Sequence, residues 1–60
     1  MSVEFVVFDA DGYETDWVDP VKEHFDLGGG KHQVDNGYDI FDLQVPEGGR
    51  FEIRAMEVSK

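Results

Sequence analysis

The stretch Val3-Glu4-Phe5-Val6-Val7-Phe8 decides how this 60-residue chain folds. All but one of its residues are β-branched or aromatic, and such a short apolar run favours a strand that is covered on both faces. Asp9-Ala10-Asp11-Gly12 follows it, and these residue types are typical of a turn. The segment therefore predicts a buried first strand that reverses direction near Gly12.

Further strands are predicted from alternation of polar and apolar side chains. Residues 13–18 alternate in this way, which is typical of an outer strand with one solvated face. Residues 31–35 and 38–45 flank Asn36-Gly37, a residue pair that favours a two-residue type I′ hairpin turn. After one more turn, residues 51–58 alternate again and predict the last strand.

Between these strands, residues 19–28 predict a short helix. Asp19-Pro20 suits a helix start, because Asp is favoured at the N-cap and Pro at the first helical position. Val21 and Phe25 are four residues apart and could share a helix face, and Gly28 is placed to end the helix. Strands joined by tight turns pair antiparallel. We therefore predict one α+β domain over residues 1–60, a four- to five-stranded antiparallel sheet with one short helix.

The charge of the chain is strongly negative and unevenly distributed. Fourteen Asp and Glu oppose five Lys and Arg, which gives a formal net charge of −9. Residues 1–30 hold eight of the acids and one base, whereas residues 31–60 hold six acids and four bases. A net charge of about 2 to 8 is enough to keep a small domain soluble. Because self-repulsion costs stability, the concentrated charge indicates a functional role for the first half.

Composition also narrows the location and the partners. The chain has no cysteine, and a secreted domain of this size would usually need disulfides or a metal, so we predict a cytoplasmic protein. The N-terminus lacks the basic region of a signal peptide, and no apolar run approaches the roughly 18 residues of a membrane span. The negative charge argues against direct binding to nucleic acid or to an anionic membrane.

One motif carries a possible chemistry. The stretch Val6-Val7-Phe8-Asp9-Ala10-Asp11-Gly12 resembles the first motif of the haloacid dehalogenase-type phosphatases. That resemblance would make Asp9 the nucleophile and Asp11 the general acid/base, beside a magnesium ion. Tyr13 stands where the family has Thr or Val, and the family needs a parallel sheet in a domain more than twice this length. We therefore interpret the Asp pair as an acidic turn and predict no enzyme activity.

Metal and cofactor sites are not predicted. His24 and His32 are the two histidines, and a zinc site would need a defined third and fourth ligand. We expect solvated imidazoles whose proton affinity is raised by the surrounding carboxylates. A calcium loop counted from Asp9 would need Glu at its last position, where the chain has Pro20.

Asp and Glu are most concentrated between residues 9 and 26, where Lys22 is the single basic residue. On a regular strand, Glu14 and Asp16 would project from one face about 6.6 Å apart, at roughly 3.3 Å per residue. We predict that the acids of this stretch form one continuous surface with two aromatic anchors. The members of this predicted partner site are Asp9, Asp11, Tyr13, Glu14, Asp16, Trp17, Asp19, Glu23 and Asp26.

Such a surface would imitate nucleic acid. Duplex DNA presents about one negative charge per 1.7 Å of its axis, and a basic groove built for that row would accept a rigid row of carboxylates. In size, acidity and lack of cysteine the chain resembles small phage-encoded anti-CRISPR and anti-restriction inhibitors. The resemblance implies a protein that blocks the basic nucleic-acid-binding site of a host defence complex, such as a CRISPR effector, without catalysis and in the host cytoplasm.

Two other interpretations stay open. The chain could be an ordinary domain of a salt-loving organism, in which case its charge reflects habitat. It could also be a small structural or assembly subunit whose sheet edge, within residues 31–45, pairs with a partner or with a second copy.

Overall fold

The computed structural model describes residues 2–56. These residues form strands and no helix, and every strand pairing is antiparallel. The strands are β1 (Ser2–Phe8), β2 (Glu14–Val18), β3 (Glu23–Gly28), β4 (Lys31–Asp35), β5 (Ile40–Gln44) and β6 (Arg50–Met56). They make two three-stranded sheets with the orders β2-β1-β6 and β3-β4-β5. The described part of the chain is therefore all-β.

The predicted α+β class is wrong, because the segment assigned to a helix contains β3. This strand pairs with β4 from Glu23 opposite Asp35 to Gly28 opposite Lys31. A helix of two turns is marginal without tertiary contacts, whereas a strand here gains backbone hydrogen bonds and turns His24 towards the interior. Pairing with β4 therefore outweighs the local helix-start signals.

The predicted single sheet is also replaced by two sheets, although most predicted strands are confirmed. β1 and β2 lie where residues 3–8 and 13–18 predicted them, and β2 is an edge strand as expected. The last predicted strand, residues 51–58, is confirmed as far as Met56. Residues 57 and 58 lie outside the described residues.

The core lies between the two sheets. Phe5, Val7 and Val18 come from the first sheet, and Val34 comes from the central strand β4 of the second. Phe5 and Val34 are fully buried. Val6, whose side chain points to the other face of β1, is fully buried as well. Strand β1 is therefore covered on both faces, as its sequence predicts.

Arginines from β6 cover that other face of β1. The guanidinium carbons of Arg50 and Arg54 lie 4.3 Å and 5.6 Å from the ring centroid of Phe8. Glu52 pairs with both arginines, at 3.0 Å to Arg50 and 3.4 Å to Arg54. The bases of β6 are thus held over an aromatic ring and beside a carboxylate.

The two hairpins of the second sheet have different turns. Gly29-Gly30 joins β3 to β4, and both residues have positive φ (62° and 80°), as a type I′ turn requires. The hairpin predicted at Asn36-Gly37 exists, but its two-residue turn is wrong. Residues 36–39 form a four-residue loop, in which the Asn36 amide donates to the Asp39 carbonyl at 3.1 Å.

Residues 19–22 carry the chain from the first sheet to the second, after a cis peptide bond between Asp19 and Pro20. The Val21 amide donates to the carbonyl of Val3 in β1 at 2.8 Å. The next amide, that of Lys22, donates to the carbonyl of Asp35 in β4 at 2.7 Å. Two consecutive residues therefore link the central strands of both sheets.

Candidate partner-binding site

The turn between β1 and β2 is built on the side chain of Asp9. Its Oδ1 atom accepts hydrogen bonds from the amides of Asp11 and Tyr13, each at 2.9 Å. The Asp9 amide in turn donates to the Tyr13 carbonyl at 2.9 Å. Asp residues commonly make such side-chain turns. The Asp9 carboxylate therefore shapes the turn and holds Tyr13 at its end, where this residue is 71% exposed.

This geometry differs from the phosphatase motif that the same residues resemble. In that family the strand before the first Asp belongs to a parallel sheet. Here β1 lies between two antiparallel neighbours. The likeness is therefore confined to a few residues of sequence, and Asp9 has a local structural role.

Strand β2 forms a free edge of the first sheet and is irregular. Its pairing with β1 shifts after Val7, which lies opposite Asp16, while Phe8 lies opposite Glu14. Thr15, the extra residue, donates its hydroxyl to the Val7 carbonyl at 3.4 Å. The prediction that Glu14 and Asp16 project from one face is therefore wrong, because their partners Phe8 and Val7 point to opposite faces of β1. Both acidic side chains are nevertheless exposed.

The predicted partner site divides between the two sheets. Most of its members lie on the β1–β2 turn, on β2 and just after it. Glu23 and Asp26 lie on β3, which belongs to the other sheet and does not neighbour β2. Asp26 also accepts a hydrogen bond from the Gly28 amide at 2.9 Å. We call the exposed members on the first sheet the acidic edge: Asp11, Tyr13, Glu14, Asp16, Trp17 and Asp19.

No base belongs to the acidic edge. The two arginines of the first sheet, Arg50 and Arg54, lie on β6, which is the opposite edge strand. The ion pairs within residues 2–56 join these arginines to Glu4 and Glu52. The first sheet is therefore polarised, with unpaired acids along β2 and compensated charge along β6.

A surface cleft of about 250 Å³ opens at the end of the acidic edge. Trp17, Val18 and Asp19 line it from the first sheet, and Asn36 and Phe41 line it from the second. Trp17 belongs to the predicted partner site, whereas Phe41 does not. The sequence gives no signal for that pairing, because the two residues meet only through packing of separate sheets.

The histidines form a pair inside the molecule, contrary to the expectation of solvated imidazoles. The Nε2 atom of His24 and the Nδ1 atom of His32 are 2.8 Å apart, within hydrogen-bond distance. Phe5 and Phe51 pack against both rings, with ring centroids 4.5–5.7 Å apart. His32 is 3% exposed. Alternation along β3 and β4 turns both rings towards the first sheet.

The predicted rise in proton affinity is also wrong for His24. Burial lowers the pKa of His24 below its ordinary value, and the neighbouring His32 lowers it further. The carboxylate of Asp26 acts in the opposite direction but does not offset these effects. A charged imidazole loses hydration between two aromatic rings, so the neutral form is favoured.

Two further clefts meet at His32. One, of about 310 Å³, contains Lys31 and Asp42, and the other, of about 480 Å³, contains Asp26 and Arg50. Within residues 2–56, no three side chains of His, Asp or Glu come together as metal ligands would. The histidine pair can share a proton, and its surroundings supply aromatic rings rather than further ligands.

Comparison with protein-family models, with curated proteins and with solved structures finds no match to this chain. Residues 2–56 contain no helix of the length and apolarity needed to cross a bilayer.

Proposed function

We propose that this protein is a non-catalytic inhibitor whose acidic edge occupies the basic nucleic-acid-binding site of another protein. The observation that carries the proposal is the polarised first sheet. Acids and exposed aromatic rings line β2, while the arginines lie on β6 and are paired. The partner class that we propose is a host defence complex of the kind that anti-CRISPR or anti-restriction proteins inhibit. Its basic groove would bind the acidic edge in place of a row of phosphates.

Charge complementarity supports a cationic partner. Glu14 and Asp16 are exposed on the edge strand β2, and Asp19 is exposed directly after it, so a groove of Arg and Lys could approach them from the open side. Arginine binds carboxylates through two parallel hydrogen bonds. Opposite fields would also speed association at low salt. The net charge of −9 opposes pairing between two copies at this edge.

The aromatic residues add contact area that charge alone does not supply. Tyr13 is 71% and Trp17 63% exposed, although large rings usually gain from burial. Tyr and Trp are enriched among the residues that dominate binding energy at protein interfaces. The acidic edge therefore combines steering charges with two anchors.

A retention experiment tests this function. The protein is immobilised on a resin and incubated with a lysate of the host cell at low salt. Bound proteins are then released with duplex DNA. We expect the wild type to retain basic nucleic-acid-binding proteins. We expect the variant Glu14→Lys/Asp16→Lys/Asp19→Lys to lose them.

The matched control is Glu23→Lys/Asp39→Lys/Glu47→Lys, which changes the net charge equally at exposed positions away from the acidic edge. This control should retain the same proteins as the wild type, at reduced strength. If both triple variants behave alike, the acidic edge is not the binding site.

A second candidate is an assembly subunit, and exposed apolar side chains on the second sheet favour it. Phe25 and Leu27 on β3, with Ile40 on β5, are each at least half exposed on edge strands. Unpaired edges can add strands from another chain. Sedimentation equilibrium over a range of concentrations decides this: a concentration-dependent mass that Phe25→Ser abolishes would favour assembly.

A further inference from the structure

We infer that Asn36-Gly37 is a site of covalent self-modification, and that the folded loop between β4 and β5 prevents its reaction. In an Asn-Gly pair, the backbone nitrogen of the glycine can attack the side-chain carbonyl carbon of the asparagine. Glycine favours this attack because it has no side chain to crowd the backbone. Gly37 is exposed and Asn36 is partly exposed, so water reaches the loop.

The reaction needs water as its only co-reactant. A base takes the proton of the Gly37 amide, and the nitrogen bonds to the Cγ atom of Asn36. The side-chain nitrogen of Asn36 takes up a proton and leaves as ammonia. Water then opens the resulting succinimide ring at either carbonyl, which gives aspartate or isoaspartate. Each event replaces an amide by a carboxylate and makes the net charge one unit more negative than −9.

The carboxylate of Asp35 occupies the position that the reacting carbon must take. In the succinimide, the Cγ atom of Asn36 replaces the hydrogen on the Gly37 nitrogen. In the folded protein that hydrogen points at Asp35, because the Gly37 amide donates to the Oδ1 atom of Asp35 at 2.7 Å. A hydrogen bond to a charged acceptor is stronger than one between neutral groups. The nitrogen and the carbon therefore cannot meet until this bond opens.

The rest of the loop holds the asparagine in place. The Oδ1 atom of Asn36 accepts hydrogen bonds from the amides of Tyr38 and Asp39 at 2.8 Å and 2.7 Å. The Asn36 amide donates to the Asp39 carbonyl at 3.1 Å, and the flanking residues Asp35 and Ile40 are paired in the sheet. Turning the Gly37 N–H towards the Asn36 side chain requires rotation of the backbone at Asn36, which these bonds resist. Unfolding removes all of them.

Unfolding would therefore leave a covalent mark on the chain. Isoaspartate would add a methylene group to the main chain of the loop, where the backbone groups of Asn36 and Asp39 now close it. A molecule that has reacted would refold with an altered connection between β4 and β5. A molecule that has stayed folded would keep its original side chain at position 36.

Rates of ammonia loss from the folded and the unfolded chain test the inference, because Asn36 is the only asparagine. The protein is held in mildly alkaline buffer with and without concentrated guanidinium chloride. Mass spectrometry of the tryptic peptide 32–50 then measures the conversion of Asn36. We expect conversion to be at least about tenfold slower in the folded protein, because a hydrogen bond to a charged group must first open. Equal rates in the two states would overturn the inference.

Two variants of Asp35 isolate the protecting hydrogen bond. Asp35→Ala removes the acceptor and should speed conversion of Asn36 in the folded protein roughly tenfold, whereas Asp35→Asn keeps an oxygen for the Gly37 amide and should stay within about threefold of the wild type. Fragment ions distinguish position 35 from position 36. Tyr38→Ala, which removes an exposed ring of the same loop, should leave the rate unchanged.

Circular dichroism shows whether each variant is folded in the reaction buffer. A folded Asp35→Ala protein that reacts no faster than the wild type would overturn the inference, as would equal acceleration by Tyr38→Ala. If Asp35→Ala does not fold, the comparison between folded and unfolded wild type decides alone, since it depends on no variant.

Discussion

The Nε2 atom of His24 lies 2.8 Å from the Nδ1 atom of His32, between the two sheets. Two imidazoles at this distance share one hydrogen bond, so one of the facing nitrogens must be unprotonated. Acid that protonates both rings would replace this bond by two like charges beside Phe5 and Phe51. The packing of the sheets is therefore coupled to the protonation of this pair.

The first prediction concerns pH. Because burial lowers the pKa of His24 in the folded state, the unfolded chain binds more protons as the pH falls below the ordinary value of 6.5. The contribution of His24 is complete above that value and is lost as the pH falls through the lowered pKa. Urea unfolding at pH 7.5 and pH 5.5 should therefore give a lower free energy of unfolding at the lower pH.

The control for this experiment is His24→Gln, which keeps a side-chain amide near His32 but does not titrate. The protonation of carboxylates changes little between pH 7.5 and pH 5.5, since their ordinary pKa values lie near 4. The variant should lose less stability than the wild type on acidification. Identical losses would show that His24 is not the group responsible.

The second prediction concerns Gly49. A Cβ atom at this position would overlap the carbonyl oxygen of Phe8 and lie 3.0 Å from the carbonyl oxygen of Pro46. Gly49→Ala should therefore destabilise the fold by about 2 to 3 kcal/mol, as overpacking against backbone does. Gly12→Ala is the comparison, because its Cβ would meet open space and cost only the strain of its positive φ, about 1 kcal/mol. Equal midpoints in thermal unfolding would refute the predicted overlap.

The third prediction separates ring stacking from ion pairing on the outer face of β1. Arg50→Ala uncovers Phe8 and should cost about 1 kcal/mol, from lost cation–π contact and lost packing. Glu52→Gln removes a carboxylate from both arginines but leaves the stacking, and should cost at most a few tenths of a kcal/mol. Urea unfolding of the two variants gives both values. A larger loss from Glu52→Gln would mean that the ion pairs dominate.

The fourth prediction concerns salt and tests the halophile interpretation. Added NaCl screens repulsion among the carboxylates, so the unfolding temperature should rise by a few degrees. The buried core of Phe5, Val7, Val18 and Val34 should nevertheless keep the protein folded at low ionic strength. Circular dichroism at about 10 mM and about 1 M NaCl measures this. A chain that unfolds in the dilute buffer would favour the salt-loving origin.

The fifth prediction separates the charge of Asp9 from its structural role. Asp9→Asn keeps an oxygen for the amides of Asp11 and Tyr13 and should leave stability nearly unchanged. Asp9→Ala removes that acceptor and should cost about 1 kcal/mol. Similar losses from both variants in urea unfolding would show that the charge, rather than the hydrogen bonds, stabilises the turn.

The strands that the sequence predicts well are those with strong local patterns. The apolar run at Phe5 and Val7 and the alternation after Phe51 are visible without tertiary information. β3 was missed, because Asp19-Pro20 imitates a helix start and the strand owes its existence to pairing with β4. Local propensity is a weak guide where tertiary pairing is available.

The candidate site is likewise predicted only where local sequence patterns determine its structure. Sequence proximity correctly places Glu14, Asp16 and Trp17 on one edge strand. It also groups Glu23 with them, although the crossing between sheets carries that residue away. The positions of distant residues around one cleft, such as Trp17 and Phe41, depend on how the sheets face each other, and no local sequence pattern predicts this.

The crossing at Val21 and Lys22 has a consequence for how the molecule opens. Their consecutive amides are bonded to different sheets, so peeling one sheet from the other would break at least one of the two bonds. Exchange of these two amide protons with deuterium therefore reports separation of the two sheets.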